Sequence, residues 1–306
     1  MDLRSVIMGV TFAFVWASAF TTTRIIVTAA PPLTALTLRF ALSAALAIGL
    51  ALAMGQSFRL SRAEWRAVVL FGICQNALYL GLNWVAMQWV EASAASIIAS
   101  MMPLIVAFLG WAALGDRLRP MAFVGLLVGV LGVALIMGVR LQHGLSIPGT
   151  ILCLLAAVAL AIATLSARGA SGSRNMMMIV GLQMAVGSLS LALPAALMEW
   201  GQPVAYSWTL LYAFVYTVVA PGIAATWIWF LLVNRIGAVR AATYHFLSPF
   251  FGVLVAAIVL GERFGFTDAA GALIIAAGIL MVQRSKLPAQ PAASSASIRR
   301  VEGSSR

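Results

Sequence analysis

The chain has 306 residues, 63% of them hydrophobic and only 9% charged, and its mean hydropathy is +1.04. A soluble domain carries roughly 25% charged residues, so this composition excludes a water-soluble globular protein. The formal charge is +11; the Arg residues nevertheless stand in ones, twos and threes between apolar runs, which fits loops beside an anionic leaflet and argues against a nucleic-acid partner.

Ten apolar runs approach or exceed the ~18–20 residues that cross a bilayer as helix. Spans are expected at about 5–25, 33–54, 65–88, 92–114, 120–139, 147–167, 175–198, 208–233, 239–260 and 267–284. Turn or charge signals separate them, among them Pro31-Pro32, Gly55-Gln56-Ser57, Gly115-Asp116-Arg117, Gly144 and Gly201-Gln202-Pro203. Strands alternating polar and apolar residues are absent, which disfavours a barrel. The first run is long enough to span and lacks a following cleavage-site pattern, so it reads as a span rather than a leader. Cys74 and Cys153 lie inside apolar runs, as buried free thiols would. The polar, Pro/Ser/Ala-rich tail at 287–306 is expected to be disordered. With the N-terminus inside, 15 Lys and Arg fall on inner segments and 3 on outer ones, so both termini are expected in the cytoplasm.

Residues 91–137 align without a gap on 237–283. Pro103 falls on Pro249, Gly115 on Gly261, Arg117 on Arg263, Gly125 on Gly271 and Gly132 on Gly278, always 146 positions apart. This is an internal duplication. The expected units are a first five-helix repeat at 1–140, a second at 141–286 and the tail. Five is odd, so the second half enters the membrane from the opposite side. Inverted repeats are the signature of a secondary transporter with its binding site near the midplane.

The order and spacing of several short motifs also resemble a known family. Trp16-Ala17-Ser18, Arg39-Phe40, Pro103 with Gly115-Asp116-Arg117, the stretch Arg235 to Ala241, and Pro249 with Gly261-Glu262-Arg263 are similar to the EamA branch of the drug/metabolite transporter superfamily. The likeness is greatest to bacterial exporters of aromatic amino acids. The sixth span lacks a Trp matching Trp16 and the seventh an Arg matching Arg39, so those features are asymmetric here.

Within the spans, Asn76, Tyr79, Asn83 and Met87 share one helical stripe, which must face protein or a wet cavity because carboxamides in lipid go unpaired. Such a stripe serves a cavity or helix-to-helix bonding. Ser93, Ser96 and Ser100 form a small-residue stripe suited to packing or lining. Pro103 and Pro249 interrupt the fourth and ninth spans at duplicated positions and read as hinges. Tyr244 and His245 precede Pro249; His245 is the one His within a span and offers either a substrate hydrogen bond or a structural one. Trp16 and Trp227 lie too deep for an interfacial belt. Arg39 stands six residues inside the second span, where a cation must snorkel or face a cavity; it reads as a gate or a structural group in preference to a carboxylate anchor.

The eight acidic residues all fall in loops or at span ends, leaving no intramembrane carboxylate for a proton relay, metal site or catalytic dyad. No enzyme motif is present, and no cofactor is implied. The reading is an all-α integral membrane protein: ten transmembrane helices as two inverted five-helix repeats around a central cavity. Taken with the polar and aromatic stripes, the resemblance implies a cavity built by spans one, three, four, six, eight and nine. Trp16, Asn76, Tyr79, Asn83, Ser100, Trp227, Tyr244 and His245 are the candidate substrate contacts. The resemblance implies export of neutral metabolites, foremost aromatic and other large neutral amino acids, across a bacterial inner membrane. Amines, purines or sugars remain alternative cargoes, with a channel or an intramembrane enzyme further behind. The Gly-rich fifth and tenth spans suit packing within one chain or between two copies of a homodimer.

Overall fold

The computed structural model describes residues 3–114, 120–142, 146–166, 175–236, 244, 247–263 and 265–286. All regular structure among them is helical. Seven helices are long and apolar enough to cross a membrane, and three shorter apolar ones, Pro120–Ile136, Ser248–Leu260 and Phe266–Val282, complete the ten. The chain-order bounds follow the composition closely. The first span is Leu3–Ala29 and the second Pro32–Ala53. The fifth to seventh are Pro120–Gln142, Ile147–Ser166 and Met176–Met198, and the tenth is Phe266–Lys286.

Local chemistry fixes the ends. Pro32 opens the second span, where its preset φ suits a first turn and its missing N–H costs nothing. At the start of the third span Ser61 and Glu64 form a reciprocal capping box: Ser61 Oγ accepts from the Glu64 N–H at 3.2 Å and Glu64 Oε2 accepts from the Ser61 N–H at 2.7 Å. Ser207 Oγ caps the eighth span by accepting from the Leu210 N–H at 3.1 Å. Gly261 ends the ninth at φ 66°, a left-handed conformation that glycine adopts without strain.

Among the described residues, three spans are not continuous α-helices. The third runs as α-helix over Arg62–Phe71, as π-helix over Gly72–Leu80 and as α-helix over Gly81–Ala86. The eighth does the same: Trp208–Thr217, then π over Val218–Ala224, then Ala225–Ile236. The two π segments begin at Gly72 and Val218, again 146 positions apart. The fourth span divides at Met101 into Ala92–Ser100 and Met102–Leu114. Pro103 has no N–H for the carbonyl one turn back, and the chain tightens there, Met101 N–H reaching Ile98 O at 3.1 Å and Leu104 N–H reaching Met101 O at 2.8 Å. Pro249 sits in the first turn of the Ser248–Leu260 helix. The expected start of the ninth span near 239 lies outside the described residues, as do Gly115-Asp116-Arg117, Gly144 and the tail.

Equivalent spans of the two halves pack on each other. The second lies against the seventh, Gly181 facing Ala44 and Ile48 while Ser188 Oγ donates to the Thr37 carbonyl at 3.0 Å. Ser96 of the fourth fits against Gly252 of the ninth. Gly125 and Gly132 of the fifth meet Gly278 and Gly271 of the tenth backbone to backbone. The Gly-rich faces are therefore consumed within one chain.

Candidate functional site

The first, second, third and eighth spans enclose a cavity of about 50 Å³, room for a few water molecules. Trp16, Phe20 and Thr23 come from the first span, Arg39 from the second, Tyr79, Asn83, Trp84 and Met87 from the third, and Pro221 from the eighth. Both π segments reach its wall, one through Tyr79 and Leu80 and the other through Pro221. Widened helical turns re-aim side chains and recur at functional sites.

Arg39 is 7% exposed, and it does not snorkel. Its Nε donates to the Thr217 carbonyl at 3.4 Å, and its guanidinium lies 5.2 Å from the Phe40 ring centre and 5.9 Å from that of Trp84. The cause is local to the eighth span. In an α-helix the N–H at position 221 would bond Thr217 O, but Pro221 has none, so the turn widens to the π spacing and the second lone pair of that carbonyl accepts from the second span. The aromatic faces lend further stabilisation to the buried cation.

Asn83 is 3% exposed, and its Nδ2 donates to the Tyr79 carbonyl at 3.1 Å. Its Oδ1 is buried with no hydrogen-bond partner. Turning the amide over would set oxygen against oxygen at Tyr79, so the acceptor is the end left free.

A second recess of about 390 Å³ opens at one end of the bundle, lined by Val27 to Pro31, Gln88 and Gln202 to Ala205. Between the two, Arg24 donates through Nη1 to the Met87 carbonyl at the end of the Gly81–Ala86 helix. Thr23 and Met87 face the inner cavity, whereas Thr28 and Gln88 face the recess, so this bond sits on the partition.

At the same end, two carboxylates tie the halves together. Glu199 accepts from the N–H groups of Leu33 at 2.9 Å and Thr34 at 2.7 Å, and from Thr34 Oγ1 at 2.8 Å, at the start of the second span. Glu262 accepts from the N–H groups of Ala92 at 2.7 Å and Ser93 at 3.0 Å, at the start of the fourth. Each answers the unpaired donors and positive end of a helix N-terminus.

Trp16, Tyr79, Asn83 and Arg39 are thus brought together. Asn76 turns away: its Nδ2 donates to the Gln183 carbonyl of the seventh span at 2.8 Å, and it packs on Gly187. Ser100 Oγ donates to the Ile97 carbonyl of its own helix at 2.6 Å. Trp227 is 37% exposed and outside the cavity wall. Tyr244 is buried against Gly9 and Leu232. His245 lies outside the described residues. The second span contributes to this cavity through Arg39, and none of the described residues of the fourth, sixth and ninth lines it. Ser96 is seated against Gly252, and the sixth span packs Ala156 and Leu160 against Tyr79 from behind. Trp84 and Phe20 were not among the expected contacts. The signal for each was helical spacing, since Phe20 stands four residues after Trp16 and Trp84 four after Leu80.

The family model of EamA-like transporters matches twice, over residues 3–138 and 147–284. The chain belongs to the EamA-like transporter family. It is a multi-pass membrane transporter with duplicated halves, not an enzyme, and it moves a small molecule. It is similar to the uncharacterized transporter YvbV of Bacillus subtilis (strain 168), 27% identical over 239 residues that cover 76% of each chain. An uncharacterized transporter of Archaeoglobus fulgidus is 24% identical over 293 residues, covering 92% of this chain and 99% of its own. A solved crystal structure superposes with a TM-score of 0.65 at 20% identity, over 92% of this chain and 98% of that one, which establishes the shared fold.

Proposed function

We propose that this EamA-type transporter exports large neutral, chiefly aromatic, amino acids by alternating access. Its two five-helix halves, 1–140 and 141–286, stand inverted about an axis in the membrane plane, with both termini on the cytoplasmic side of a bacterial inner membrane. The observation that carries the substrate class is the cavity wall: the rings of Trp16, Phe20, Tyr79 and Trp84 surround a few polar groups, and no carboxylate lies among its lining residues. Rings supply stacking and apolar burial for a large side chain. A cavity of about 50 Å³ is smaller than any such substrate, so binding requires the halves to part. Pro103, beside the break at Met101, and Pro249, in the first turn of its helix, serve as matched hinges, and the Arg24–Met87 bond closes the outer side. The clamps at Glu199 and Glu262 hold equivalent spans together while they move.

The test is uptake of labelled phenylalanine into liposomes holding the purified protein, with unlabelled competitors, with and without a pH gradient. Saturable uptake competed by tryptophan, tyrosine and leucine supports the reading. Indifference to the gradient is expected from the absence of an intramembrane carboxylate in the sequence. Uptake equal to that of empty liposomes for every amino acid tested removes the substrate assignment.

A further inference from the structure

Arg39 and Asn83 are both buried, both face the cavity, and both have unused bonding capacity of opposite kinds. A guanidinium has five N–H donors. Only Nε is engaged, at 3.4 Å, and the terminal nitrogens bond to none of the described residues. Neither Phe40 nor Trp84, the rings beneath it, can neutralise it. A charge taken out of water without a counter-charge is unfavourable, and its planar fork matches a carboxylate in two parallel hydrogen bonds. Asn83 presents the complement. Its amide nitrogen is held by Tyr79 O, and its Oδ1 has no donor. The cavity thus has a cationic pole lacking an anion and an acceptor pole lacking a donor.

We infer that Arg39 receives the carboxylate of the substrate and Asn83 Oδ1 receives a hydrogen bond from its ammonium group, which makes the site selective for zwitterions with both charges on one carbon. This rests on the reading of the cavity as the transport site. An amine of the same shape satisfies Asn83 but meets the unneutralised charge of Arg39. A simple carboxylic acid satisfies Arg39 but leaves Oδ1 buried and unpaired. Only a molecule with both groups satisfies both poles. Pro221 belongs to the device because its missing N–H leaves the Thr217 carbonyl able to accept from the Arg39 Nε edge.

The experiment measures uptake of labelled phenylalanine, 3-phenylpropionate and phenethylamine, each separately, into proteoliposomes of the full chain. Unlabelled phenylalaninamide and 3-phenyllactate serve as competitors. Phenylalanine is expected to be taken up with an apparent affinity at least tenfold better than either single-charge analogue, and phenylalaninamide to compete no better than phenethylamine. In Arg39→Gln the phenylalanine preference over phenethylamine disappears, and Arg39→Lys restores part of it. In Asn83→Leu the preference over 3-phenylpropionate disappears while that over phenethylamine stays. The wild-type panel decides the matter even if a variant fails to fold. Saturable transport of phenethylamine equal to or better than phenylalanine overturns the zwitterion assignment and leaves an aromatic transporter standing. Competition by 3-phenyllactate equal to phenylalanine overturns the ammonium assignment at Asn83 in favour of any donor. Absence of saturable uptake for the whole panel overturns this inference together with the proposed substrate class.

Discussion

Replacing Gly278 by Ala tests whether the fifth and tenth spans are held by backbone contact. A methyl at 278 would stand 2.6 Å from the Gly125 carbonyl oxygen, 2.7 Å from the Gly129 nitrogen and 3.0 Å from the Gly129 Cα. All three are backbone atoms and cannot rotate aside. Ordinary contact begins near 3.4 Å, so the helices must separate by about 0.8 Å, the gap between 2.6 and 3.4 Å. Gly132 and Gly271 make the same close approach further along, and the whole ridge opens with them. Overpacking of this kind costs ~1–3 kcal/mol, against a helix-propensity gain for Gly to Ala of ~0.5–1 kcal/mol, leaving a net loss centred on ~1 kcal/mol and at most ~2.5 kcal/mol. Gly49 is the matched control: it lies in the second span with nothing within 4 Å of an added methyl, so Gly49→Ala gains the propensity without the clash. Melting in detergent, followed by size-exclusion recovery after heating, should rank Gly49→Ala above the parent and Gly278→Ala several degrees below it. A Gly278→Ala protein that melts at or above Gly49→Ala would refute the backbone-contact account.

Pro221→Ala gives position 221 an N–H that can recapture the Thr217 carbonyl, so Arg39 loses its fixed edge; phenylalanine uptake should show a severalfold higher KM at unchanged protein recovery, and parent-like kinetics would count against this role for Pro221. Glu199→Gln should destabilise more than Glu262→Gln in the same melting assay, because Glu199 takes three hydrogen bonds and Glu262 two; charge-assisted bonds contribute ~1.5–3 kcal/mol each where buried, and the reverse ranking would contradict the clamp reading. Arg24→Met removes the bond to Met87 O; a cysteine at Thr23, 4% exposed in this structure, should then react severalfold faster with an aqueous maleimide in a background lacking Cys74 and Cys153, and unchanged labelling would exclude a partition at Arg24.

The sequence by itself determined the class and much of the organisation. Composition is additive along the chain, so apolar runs revealed ten spans, with ends close to those of the helices where the described residues include them, and the shift of 146 positions revealed the duplication. Trp16, Tyr79, Asn83 and Arg39 were legible as candidates because large, polar or charged groups deep in a span demand a partner other than lipid. Their partners were not legible. Whether Asn76 or Asn83 faces the cavity depends on which neighbour lies beside each, and the π turn from Gly72 to Leu80 rotates the stripe in a way that no proline or motif in GICQNALYL announces. Likewise a glycine face specifies close approach without specifying to what; the tertiary fold decided that the fifth span meets the tenth of its own chain. Arg39 changed most: its depth was a matter of counting residues, but its partner is a carbonyl nearly two hundred residues downstream, in a π turn of another span that contains Pro221. Periodicity and composition are local sums, whereas a binding site consists of contacts between segments far apart in sequence, and only the packed structure brings those together.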